Sequence, residues 1–168
     1  WTVWSHHLMS DQAQPGILKI LSGEMVTAFE LITQGLAFFI TLITLWSARP
    51  LKMTNPLKFL LGGLLGFALA VPAGIMQADL GLNRILHNTQ WIVGLTMTLY
   101  SAIYFLFPIV TNNAKLYSQK LANFHFWAHL LGGIGMGAFM GMAGLKGMLR
   151  RTIYFEGEYS IYMILALL

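Results

Sequence analysis

Cysteine is absent from the 168-residue chain. That excludes disulfides, iron–sulfur clusters and thiolate metal sites. Charge is scarce, at 10% of residues, against about 25% in a soluble domain. There is no initiator methionine, no secretory signal pattern at the start, and no internal repeat, linker or low-complexity tract. Apolar residues fill the chain instead, at 57% with a mean hydropathy of +0.66. This composition indicates a membrane protein or part of one. The net charge of +4 is modest, and its basic residues lie in loops between apolar segments. That pattern suits membrane topology better than nucleic-acid binding, and no nucleic-acid partner is expected. The chain opens on Trp1 and closes in the apolar run Ile161 to Leu168, too short for the ~20 residues a span needs. The expectation is a piece of a larger protein.

The apolar pattern predicts four full membrane helices and a truncated fifth, an all-α polytopic bundle. The first runs from Ile17 to Ser47, after the turn signal Pro15-Gly16. The second, Leu57 to Gln77, is rich in glycine (62, 63, 66 and 74), with Pro72 expected to kink it. Its small residues suit the close approach of a helix or of a flat cofactor. The third runs from Trp91 to Val110, about the length of one span. The fourth, Ala122 to Leu145, carries Gly133, Gly137 and Gly141 every fourth residue, a face for close helix contact. The fifth begins near Ser160. Basic residues are spread too evenly between the two sides to fix orientation.

Several residues invite chemistry. His6 and His7 are adjacent, and neutral imidazole is a common ligand for copper, iron and zinc. The residues alone leave open a metal ligand pair or two surface histidines. On the first helix, Lys19, Thr27, Glu30 and Gln34 fall on one face. That stripe is either a proton path, with Thr33 beside it, or a face packed on another helix. His125 and His129 lie one turn apart and can bridge a metal. With no third ligand near in sequence, a polar packing stripe is the favoured reading. Met136, Met140, Met142 and Met148 read as packing fillers.

Three stretches together go further. Trp1-Thr2-Val3-Trp4-Ser5-His6-His7 with Asp11 resembles the copper-ligand segment of subunit I of the haem-copper terminal oxidases. His87-Asn88-Thr89-Gln90-Trp91 resembles the start of the haem-ligand helix, and looks most like the B-type branch of thermophilic bacteria and archaea. Gly147-Met148-Leu149-Arg150-Arg151 is similar to a Gly-Met-Pro-Arg-Arg stretch of the family, with Leu149 in the proline's place. The resemblance covers essentially the whole chain. It implies a single membrane domain over 1–168, corresponding to about the seventh to twelfth of twelve helices.

By that resemblance His6 and His7 are copper ligands, His87 lies near the haem propionates, and Asn83 stands where B-type members often carry an Asp. Thr33 lies where B-type members place hydroxyl residues of a proton input path. The complete subunit would hold haem and copper, reduce dioxygen to water with coupled proton translocation, and sit in a prokaryotic plasma membrane. Its partners would be subunit II and an electron donor: a cytochrome, a blue copper protein or a quinol. One departure matters. The family's Gly-His-x-His is missing, since Trp91-Ile92-Val93-Gly94 continues as Leu95-Thr96-Met97. About ten residues of that helix are expected to be absent, and with them the axial haem ligands. No catalytic residue is assigned, and the chain alone is expected to be incomplete and inactive. The rival readings are a transporter or channel subunit and a non-catalytic assembly partner. A nitric oxide reductase shares a vicinal histidine pair, but the His-Asn-Thr-x-Trp run favours the oxidase branch.

Overall fold

The computed structural model describes residues 16–76, 88–113, 115–146, 148 and 157–167, with backbone only for 16–28, 30, 31, 72–76 and 88–92. All regular structure among them is helical. The order is α1 (Gly16–Ser47), α2 (Asn55–Met76), α3 (Asn88–Val110), α4 (Gln119–Leu145), a short 3₁₀ turn (Gly157–Tyr159) and α5 (Ser160–Leu167). Each of the four long helices matches an apolar segment of the sequence. Three of them begin two or three residues earlier than the apolar run, because a polar first turn belongs to the helix. Ser118 caps α4 in this way, its hydroxyl accepting from the Leu121 N–H at 3.3 Å. The helix α2 continues past Pro72 to Met76.

The end of α3 is set by Asn112, at φ 50°. Asparagine tolerates this left-handed conformation better than most residues. The Asn113 N–H then reaches the Pro108 carbonyl at 3.2 Å, and the Asn112 N–H the Ile109 carbonyl at 3.4 Å. These are the two bonds of a Schellman stop, which satisfies carbonyls the helix leaves open.

α2, α3 and α4 form the packed centre. α2 and α3 run antiparallel and meet on glycines: Gly62 lies on Met97, Gly63 on Thr98, and Gly66 on Gly94. α4 crosses back antiparallel to α3, with Gly133 on Val93. Phe59, Val93, Met97, Phe126 and Leu130 form the buried cluster these three helices share. Phe59 stacks on Tyr104 at 5.0 Å and meets Phe126 edge-on at 5.4 Å. α5 packs on α4, whose second half buries Gly137, Gly141, Ala143 and Gly144.

The outer surface is apolar. Ile32, Leu36, Phe39 and Ile43 on α1, and Leu99, Ile103 and Ile109 on α3, are all exposed. Water would not tolerate so continuous a surface, whereas hydrocarbon does. Hydroxyls within it are satisfied internally: Thr41, Thr44 and Ser47 donate to carbonyls four residues back at 2.8–2.9 Å. Among the described residues, Val93–Val110 and Gln119–Leu145 are long and apolar enough to cross a membrane. Ile32–Ser47 and Asn55–Val71 are shorter apolar stretches.

Candidate functional site

Four of the residues singled out by the sequence, His6, His7, Asn83 and His87, lie outside the described residues. Thr27 and Glu30 are on α1, with side chains outside the described set. Thr33 is exposed on α1, and its hydroxyl donates to the Phe29 carbonyl at 3.2 Å. Gln34, from the same stripe, faces an apolar cavity of about 610 Å³ between α1 and α2.

The polar groups that the structure does bring together are on α3 and α4. α3 presents Thr96, Tyr100 and Tyr104 at intervals of four, hence on one face. α4 answers with His125 and His129 at the same interval. Tyr104 Oη lies 3.2 Å from His125 Nδ1. Thr96 Oγ1 lies 2.7 Å from His129 Nε2. The Tyr100 ring stands edge-on to both imidazoles, with centroids at 4.5 and 5.1 Å. The two histidine rings are 6.0 Å apart and turned 73° to each other. The histidines therefore form a polar packing stripe, in keeping with their spacing. Among the described residues, no group of three or more His, Cys, Asp or Glu is placed to hold a metal. The hydroxyl partners on α3 were not legible, because threonine and tyrosine in an apolar helix carry no signal of their own. Of the methionines read as packing residues, Met148 is buried, Met136 and Met140 are half-buried, and Met142 is exposed.

A second group closes the helix ends. Asn55 Nδ2 donates to Gln119 Oε1, and Lys58 Nζ to Asn123 Oδ1, both at 2.8 Å. Ser101 Oγ donates to the Pro56 carbonyl at 2.7 Å. These bonds tie the N-terminal turns of α2 and α4 to each other and to α3.

Whether the chain can hold a haem depends on α3 and the glycine face. Residues 88–110 contain no histidine. Gly62, Gly63 and Gly66 of α2 are taken up by α3, leaving no room at that face for a flat cofactor. A Cβ on Gly66 would stand 2.6 Å from the Gly94 nitrogen, and one on Gly94 would stand 3.0 Å from the Phe67 backbone. Among the described residues, α3 thus offers no axial histidine, and the Gly62–Gly66 face offers no slot for a flat cofactor.

Apolar antiparallel helices, internally bonded hydroxyls and a lipid-compatible surface mark an α-helical membrane protein, with two candidate spans among the described residues. The chain belongs to the cytochrome c and quinol oxidase polypeptide I family, whose model matches residues 1–168. It is 30% identical over 168 residues to cytochrome c oxidase polypeptide 1 of Halobacterium salinarum, covering 94% of this chain and 27% of that protein. It is 28% identical to cytochrome c oxidase subunit 1 of Synechocystis, covering 98% of this chain and 30% of that one. A heme-copper oxidase subunit I+III of Aeropyrum pernix is 26% identical over 141 residues, covering 79% of this chain and 17% of that protein. The chain thus spans less than a third of the length of these relatives. No solved structure matches it significantly.

Proposed function

We propose that the chain is part of the catalytic subunit of a respiratory terminal oxidase that reduces dioxygen to water with coupled proton translocation. The observation that carries this reading is the family match across all 168 residues. The chain would supply the C-terminal half of subunit I of a B-type enzyme, as one membrane domain within the twelve-helix fold. His6 and His7 would be two of the copper ligands. Asn83 and His87 would lie near the haem propionates, and Thr27, Glu30 and Thr33 along a proton path. The axial haem ligands would come from elsewhere in the complete subunit. Subunit II and a cytochrome, blue copper protein or quinol would complete the enzyme in a prokaryotic plasma membrane. Within it, the described helices act as scaffold: the α2–α3 glycine contact and the α3–α4 histidine stripe hold three helices in fixed register.

The test is to tag the chain, purify it from its native membranes with whatever it assembles with, and measure dioxygen uptake and copper. Uptake driven by a reduced donor is expected, with loss of both uptake and copper in His6→Ala and His7→Ala. An assembly with full uptake and unchanged copper in both variants overturns the copper assignment. One without uptake but with donor-independent ion flux in liposomes favours a transporter.

A further inference from the structure

Three neighbouring cavities along the flank of α2 share wall residues, in a row that forms one groove-like flank. The first, about 580 Å³, opens where α2 and α4 begin, and includes Asn55, Lys58, Gln119 and Asn123 in its wall. The second, about 410 Å³, shares Thr54, Pro56 and Phe105 with it. The third, about 610 Å³ and almost wholly apolar, shares Leu60 and Thr98 with the second. It continues along Leu64, Phe67 and Ala68. The groove is thus polar at one end and greasy along its length.

Its polar end is also cationic. Lys58 donates to a neutral amide, that of Asn123, which takes one of the three protons an ammonium offers. The stretches 48–58 and 111–121, which meet at this end, carry Arg49, Lys52, Lys58, Lys115 and Lys120 and no Asp or Glu. Nearby, the Arg49 guanidinium lies 3.4 Å above the Trp46 ring, a pairing that suits the headgroup layer. The depth fits as well. Ten residues separate Lys58 from Ala68, about 15 Å along a helix, and one leaflet's share of the hydrocarbon core is also about 15 Å.

We propose that this groove binds one anionic phospholipid. The headgroup phosphate sits at Lys58 and the Asn55–Gln119 pair. One acyl chain lies along α2 against Leu60, Leu64 and Phe67. The charge selects an anionic headgroup, and the apolar trough selects a lipid over a free anion. This site is independent of the oxidase reading.

The experiment is native mass spectrometry of the full chain, released in detergent from vesicles of equal phosphatidylglycerol and phosphatidylcholine. One phosphatidylglycerol per chain is expected to be retained in preference. Lys58→Gln should lower that preference about fivefold, the worth of one lysine near an anionic surface, and Lys58→Arg should keep it. Lys52→Gln, on the same end but outside the groove, should leave it unchanged. Ala68→Trp, which fills the trough, should reduce retention of both lipids, with helicity checked by circular dichroism. If Ala68→Trp loses helicity, Lys58→Gln alone decides. Equal retention of the two lipids overturns the proposal. So does an equal loss in Lys58→Gln and Lys52→Gln, which would mark diffuse surface charge. Unchanged retention in a folded Ala68→Trp chain overturns the trough assignment.

Discussion

Gly66 and Gly94 meet backbone to backbone: a Cβ on Gly66 would stand 2.6 Å from the Gly94 nitrogen. Neither partner is a side-chain tip that can swing away, so the helices themselves would have to separate. Gly66→Ala should therefore destabilise the chain by about 1–3 kcal/mol, the usual cost of overpacking. Gly35→Ala meets nothing within 4 Å, and should be neutral or stabilising by up to about 1 kcal/mol from helix propensity. Thermal unfolding followed by far-ultraviolet circular dichroism in detergent separates the two. Equal melting temperatures for both variants would contradict the contact.

The Thr96–His129 bond at 2.7 Å ties α3 to α4 among apolar neighbours. Thr96→Val keeps the shape and removes the hydroxyl. It should cost about 1 kcal/mol, in the range of interhelical hydrogen bonds measured in membranes. A double-mutant cycle with His129→Leu should return a coupling of at least about 0.5 kcal/mol. Additive effects would mean that the two side chains do not act as a pair.

Asn112 holds φ 50° at the end of α3. Asn112→Gly should be tolerated, and Asn112→Val should cost about 1–2 kcal/mol, because a branched side chain clashes in the left-handed region. Melting temperatures check this: the valine variant should melt below both the parent and the glycine variant.

Ser118→Ala removes the cap on the Leu121 N–H and should cost about 1 kcal/mol. Hydrogen exchange would report it locally, with faster exchange in residues 119–122 than in the middle of α4.

Much of this was legible in the residues, and for identifiable reasons. Helix positions followed from the runs of apolar residues, the first opening after Pro15-Gly16. The richness of α2 in glycine announced a close approach, and at Gly62, Gly63 and Gly66 the occupant is α3. The i, i+4 spacing of His125 and His129 placed them on one face. Their partners Tyr104 and Thr96 could not be read, since which face of α3 turns inward depends on Gly94 finding Gly66. The groove beside Lys58 was equally hidden, because its walls come from three helices far apart in sequence.

The described helices pack on one another through glycines and the histidine stripe, with no histidine on α3 to ligate haem. The most direct measurement is a titration of the purified chain with haem, followed by optical and magnetic circular dichroism spectra. No saturable Soret band characteristic of histidine-ligated haem is predicted, because residues 88–110 hold no histidine, α3 fills the Gly62–Gly66 face, and His125 and His129 are engaged by Tyr104 and Thr96. A stoichiometric five-coordinate histidine–haem spectrum would contradict it.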